Sequence, residues 1–182
     1  MPPRLTRPRR HAKLRRMSDD RSDPTHEQML AHLRRANATA LHARDAGHHP
    51  FGAILVAADH ETVLMEQGNL DTVNHAEATL ARAAFARFGP DALRDTTLYT
   101  TFEPCAMCAG TIYWANIGRV VYGATEERLL ALTGSHPENP TLALPCREVF
   151  ARGQKAIRVH GPFGELEPEL TAPHLAFWRR PA

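Results

Sequence analysis

The 182-residue chain contains no run of 18 apolar residues, which excludes a membrane-spanning helix. Its three cysteines are too few for a disulfide framework. Fourteen prolines and eleven glycines are scattered, so the chain is not of low complexity. Acidic residues are missing from positions 1–16, which hold seven cations: Arg4, Arg7, Arg9, Arg10, Lys13, Arg15 and Arg16. The remaining 166 residues carry 15 Lys plus Arg against all 20 Asp plus Glu, an excess of five negative charges. An acidic body disfavours a phosphate backbone as partner.

What is present is enough for one domain with a core: 43% hydrophobic and 23% charged residues. Residues 1–22 read as a disordered basic tail, because they hold too few apolar side chains to offset the entropy of ordering. The tail lacks the apolar core of a secretory signal, so a cytoplasmic location is expected. Met17-Ser18-Asp19-Asp20 would serve as a second start, and the alternative use of the tail is an electrostatic arm. Residues 23–182 form the folded unit.

Thr25 and Gln28 have capping-box spacing, and Met29, Leu30, Leu33, Ala36, Ala40 and Leu41 share a face of the helix that follows, which Gly47 stops. An apolar run over 51–58 reads as a buried strand, then a turn at 59–61 leads to a strand over 62–67. Asn74 is placed to cap a helix over 75–88 that Gly89-Pro90 closes. A strand follows over 97–101, then a helix over 104–115 with Pro104 in its first turn. Strands over 119–122 and 156–160, a Pro-rich loop over 133–146, a helical turn over 148–152 and a helix over 165–178 complete the chain. Strands alternating with helices predict an α/β fold, a three-layer α/β/α sandwich around a mixed five-stranded sheet.

Two short segments carry chemistry. His75-Ala76-Glu77 and Pro104-Cys105-Ala106-Met107-Cys108 both stand at predicted helix starts. One imidazole and two thiolates suit zinc, and helix starts favour thiolate. Three protein ligands, His75, Cys105 and Cys108, leave one tetrahedral position for a water or hydroxide, the mark of a catalytic site. Zinc lowers the pKa of such a water toward ~7. Glu77 is then the residue to move protons. A structural knuckle would want a fourth Cys or His, and a redox pair has no use for the His-x-Glu.

Adding Pro50-Phe51-Gly52-Ala53, Gly68-Asn69, Thr97 to Thr101, Glu103 to Gly110 and Val120 to Ala124, residues 50–124 resemble the cytidine deaminase-like superfamily. The branch is that of guanine deaminases, yeast-type cytosine deaminases and tRNA adenosine deaminases. The resemblance implies a hydrolase that releases ammonia from a nucleobase or nucleoside, with one zinc per chain, acting as a homodimer. It also implies that Asn69 binds the substrate base. The N–H groups of Ala76 and Cys105 are candidates to hold developing negative charge. Phe51 is a pocket-lining candidate or plain core. Trp114 is read as a pocket wall, an interface residue or core. His48, His49, His60 and His136 are unpatterned and expected mostly exposed, and Cys146 is expected as a lone buried thiol.

The favoured substrate is a purine of the guanine type, as in purine metabolism, on Pro50 to Ala53 and Tyr113-Trp114-Ala115. Residues 132–140 depart from the guanine deaminase pattern there, and Glu138 is a candidate to receive a 2-amino group. tRNA wobble adenosine is an alternative on Glu103 to Gly110 and Phe177 to Arg180, against which stands the acidic body. Cytosine is an alternative on Asp95 to Thr101. The non-enzyme alternative is a degenerate fold acting as a binding subunit. Substrate choice is expected to reside in the 125–146 loop and the last helix.

Overall fold

The computed structural model describes residues 22–134 and 136–178. The expected basic tail therefore lies, except for Ser22, outside the described residues. No described helix is long and apolar enough to cross a membrane.

Helix α1 spans His26–Asp45 and opens with the expected capping box: Thr25 Oγ1 accepts from Gln28 N–H, and Gln28 Oε1 accepts from Thr25 N–H. Strands β1 (Gly52–Val56) and β2 (Val63–Gly68) form an antiparallel hairpin. Helix α2 (Ala76–Leu93), strand β3 (Thr97–Phe102), helix α3 (Ala106–Ala115) and strand β4 (Arg119–Ala124) follow. Then come α4 (Glu126–Thr133), α5 (Cys146–Ala151), β5 (Arg158–His160) and α6 (Glu167–Phe177). The sheet order is β2-β1-β3-β4-β5, with β1 antiparallel to both neighbours and β3, β4 and β5 parallel. This is the expected mixed five-stranded sheet.

Alternation along the strands builds two cores. Ala53, Leu55, Leu98, Val120 and Tyr122 meet α2, α3 and α5 on one face. Ile54, Val56, Tyr99 and Val121 meet α1 and α6 on the other. The α1 layer lies close: a Cβ on Gly52 would stand 2.3 Å from the Ala36 carbonyl oxygen, so only glycine fits there. At the other end of the sheet, Asp23 receives Arg119, Arg158 and His160. Arg119 is fully buried and also donates to Thr97 Oγ1.

Several local expectations are corrected. Helix α4 was expected as loop, although Thr125 caps it by accepting from Arg128 N–H and Glu126 and Glu127 fill its first turn. Helix α2 restarts beyond Gly89, whose φ of 74° kinks it, and runs on from Pro90 to Leu93. The α2 cap is His75 rather than Asn74, because Asn74 bonds Asp71 instead. Pro104 stands one residue before the α3 cap, Cys105. Helix α5 begins at Cys146, two residues earlier than expected.

Candidate metal centre and active site

The register brings four strand ends to one edge of the sheet. Gly52 pairs with Gly68, Ala53 with Thr100, and Phe102 with Ala124. The segments leaving that edge carry Phe51, Asn69, Glu103 to Cys105 and Glu126. Helices α2 and α3 begin there with His75 and Cys105 as their caps. Their side chains face each other.

His75 Nδ1 lies 3.6 Å from the sulfurs of both Cys105 and Cys108. The three donor atoms fall within 4.8 Å of one another, and no other His, Cys, Asp or Glu joins the group among the described residues. The other imidazole nitrogen, Nε2, donates to the Thr72 carbonyl at 3.1 Å. That bond fixes the tautomer whose free Nδ1 is a metal ligand. The donor set fits zinc with one open position.

Charge couples the three groups. The hydrogen bond from Cys108 holds the Cys105 thiol down at about 4, against the cost of burial and with help from His75. His75 is pushed up to about 9, first by its bond to Cys105 and then by Glu77. The Cys108 thiol is pushed up, chiefly by the same bond with Cys105 and by burial.

Glu77 is buried in the first turn of α2 and is not part of the ligand group. Thr100 Oγ1 donates to its Oε1 at 2.7 Å, and Cys108 Sγ lies 3.5 Å from its Oε2. Burial is the largest effect on Glu77 and raises its pKa, the direction that suits a group that must hold a proton near neutral pH. Thr100 was not singled out in the sequence. Nothing but the β1–β3 register places it beneath the carboxylate.

A cavity of about 30 Å³ adjoins these groups, lined by Phe51, Phe102, Leu129 and Asn139 along with His75, Glu77, Cys105, Glu103 and Glu126. Among the described residues no Lys or Arg lines it. Glu103 Oε1 accepts from Cys146 N–H at 3.0 Å, which ties the start of α5 to the site. Glu126 is buried at the first position of α4. It is raised to about 8, first by burial and then by the negative charges of Cys105, Glu77 and Glu103. Those are the charges that a divalent cation offsets. Sequence reasoning missed Glu126 because its burial follows from α4 folding against Phe102 and Ala124.

The remaining expectations fall as follows. Phe51 lines the cavity. Asn69 is buried; its Nδ2 donates to the Asp71 carbonyl, and its Oδ1 is buried without a partner. Ala76 is fully buried at the first position of α2. Trp114 is 77% exposed on α3 and does not line the cavity, so it is neither core nor pocket wall. Cys146 is a buried thiol, pushed up by burial. Of the four unpatterned histidines none is exposed: His60 is buried, and His48, His49 and His136 are half-buried. Glu138 pairs with His49 rather than lining the cavity.

A roof of rings covers this edge of the fold. His174 is buried, stands 5.0 Å from Phe51 and 4.7 Å from Phe102, and its Nδ1 accepts from Trp178 Nε1–H at 3.0 Å. His49 packs against Phe177 and Trp178, and His136 against Trp178.

Comparison with known proteins agrees with this geometry. Residues 26–124 match the cytidine and deoxycytidylate deaminase zinc-binding region. A probable cytosine deaminase of Schizosaccharomyces pombe is 40% identical over 156 residues, which cover 84% of this chain and 93% of that protein. A guanine deaminase of Bacillus subtilis is 42% identical over 97 residues, covering 50% of this chain and 62% of that protein. Among solved structures, one from a study of A-to-I editing by tRNA:A34 deaminases has a TM-score of 0.60 at 29% identity, covering 79% of this chain and 99% of that one. A guanine deaminase from Nitrosomonas europaea shares the fold with a TM-score of 0.59 at 22% identity, covering 84% of each chain.

Proposed function

Because the chain belongs to the cytidine and deoxycytidylate deaminase zinc-binding family, and is thus a zinc-dependent hydrolase of C–N bonds, we propose that it deaminates a free nucleobase of the cytosine type. The observation that carries the chemistry is the triad of His75, Cys105 and Cys108 with a buried carboxylate, Glu77, beside it. Two features support this reading. The likeness to the probable cytosine deaminase covers 84% of this chain, and that to the guanine deaminase covers 50%. The cavity beside the ligands is walled by Phe51, Phe102 and Leu129 with rings and branched carbons, which suits a flat heterocycle. Its lining of carboxylates without a cation also suits an uncharged substrate over a nucleotide or RNA. Guanine, favoured from the sequence motifs, is the second reading, on the 42% identity to the guanine deaminase over 97 residues.

A bound zinc supplies an acidified water at its open position. Glu77 does the proton work: it takes a proton at a carboxylate oxygen and returns one to the departing amino nitrogen. Water oxygen replaces the amino group on the ring carbon, and ammonia leaves. Thr100 holds the carboxylate in place from below. The N–H groups of Ala76 and Cys105, at two helix starts, favour negative charge developing beside them. Asn69, just past β2 with its Oδ1 buried and unpartnered, is kept as a base-binding residue on the family resemblance, although it does not line the cavity. Phe51 and the ring roof keep bulk water out.

The test is zinc content with ammonia release from cytosine, cytidine, guanine, guanosine, adenine and a tRNA stem-loop. Release from cytosine well above the others supports the reading. Release from guanine alone moves it to the second reading, and bound zinc with no release from any of them favours a binding subunit.

The active form is proposed to be a homodimer. Trp114 and Phe85 are 77% and 45% exposed and, with Ala81, Arg82, Thr111 and Ala115, line an apolar groove of about 390 Å³ between α2 and α3. Sedimentation should show a dimer that Trp114→Glu converts to monomer; a monomeric wild type contradicts this.

A further inference from the structure

One carboxylate of the cavity lining has no partner among the described residues. Glu126 is 9% exposed and lines the space beside the metal ligands. Among the described residues its carboxylate has no hydrogen-bond partner and no ion pair. The other polar groups of the lining are occupied. Glu103 receives Cys146 N–H, Glu77 receives Thr100 Oγ1–H, and Asn139 Nδ2 is directed to Thr133 and Thr141. The rest of the lining outside the metal ligands is Phe51, Phe102 and Leu129, which neither accept nor donate. The residue is largely buried, so its carboxylate is open only toward the cavity and gains from a ligand that brings an N–H to it.

The reaction indicates which N–H that is. In cytosine the amino group sits on C4, and N1 lies directly across the ring. When C4 is at the metal ligands, N1 is turned away from them, toward the remaining lining. In the free base N1 carries a hydrogen. In a nucleoside N1 carries the sugar instead. We infer that Glu126 is the specificity-determining residue that accepts the N1–H of a free pyrimidine base and so rejects the nucleoside. This deepens the cytosine reading above and rests on it. Rejection has two sources: the nucleoside leaves the carboxylate unpaired, and it puts a sugar where Glu126, Leu129 and Asn139 close the cavity. Sites that hydrogen-bond a substrate N–H discriminate against analogues lacking it by roughly 10⁴-fold.

The contact is made alike in the ground and transition states, so its loss appears mainly in KM. The experiment compares wild type, Glu126→Ala and Glu126→Gln on cytosine and 1-methylcytosine, with metal content measured in each. Expected for Glu126→Ala is a KM for cytosine raised roughly 30-fold or more, kcat within a few-fold, zinc retained, and a smaller gap between cytosine and 1-methylcytosine. Glu126→Gln keeps an amide oxygen that accepts and should recover part of the loss. An unchanged KM in Glu126→Ala overturns the assignment alone. So does a parallel loss of zinc and kcat in both variants, which would make Glu126 structural. Absence of cytosine turnover by the wild type overturns the substrate reading and takes the assignment with it.

Discussion

The site has two halves of different origin. The metal half consists of His75, Glu77, Cys105 and Cys108, held by the first turns of α2 and α3 where they abut β3. The other half consists of Glu126, Leu129, Asn139 and the rings of His174 and Trp178, brought together by α4, the loop after it and α6. In the metal half every polar group has a fixed partner within the chain. Thr72 holds His75, Thr100 holds Glu77, and the sulfurs meet the imidazole. In the other half Glu126 has none among the described residues. A half that is internally satisfied carries out the common chemistry, and a half with an open acceptor chooses what enters.

The largest break in this division is expected at Glu77. Glu77→Gln keeps the size and the bond to Thr100 but cannot carry a proton. Ammonia release should fall by about 10²–10⁴-fold with zinc content unchanged. A rate near wild type would move the proton work to another group.

Thr100→Val tests whether the metal half is preorganised rather than only composed. It removes one hydrogen bond to a charged group, about 1.5–3 kcal/mol. The expected loss is roughly 10- to 100-fold in kcat with KM little changed. A change confined to KM would place Thr100 with the substrate half instead.

The smallest effect concerns the roof and is read in stability, not rate. Burial lowers the His174 pKa to about 3 in the folded protein from an ordinary 6.5. The unfolded chain therefore gains a proton on this residue below about pH 6.5 that the folded one refuses until about pH 3. Stability from this group is whole above pH 6.5 and lost progressively as pH falls toward 3. Thermal melts across that range should show a drop in Tm that is shallower in His174→Gln. Parallel curves for the two proteins would show that His174 does not titrate as described.

The two halves also differ in how far they were legible in the sequence. The metal half was, because its chemistry needs particular residue types at fixed short spacings, and helix starts bring those residues together. The order of strands and helices was legible for the same local reasons: the Thr25–Gln28 box, the apolar run of β1, Pro104 beside the start of α3. Thr100 was not, since its role follows from pairing with Ala53 across the sheet. Glu126 was not, since a Thr-Glu-Glu start after a strand looks like a solvated turn until α4 packs on Phe102. The histidines failed similarly. His49 and His60 have polar side chains without a pattern, and only the tertiary fold covers them. Trp114 shows the converse, an aromatic in an apolar helix that faces outward because α3 turns its other side to the core.

The central claim is a metal held by three protein atoms with one position left for water. X-ray absorption at the zinc edge of the loaded protein tests it most directly. The account predicts two sulfurs at about 2.3 Å, one nitrogen at about 2.0–2.1 Å, and one further light atom that exchanges when a transition-state analogue of the deaminated base is added. A shell of four non-exchanging protein donors, or one with a single sulfur, would contradict it.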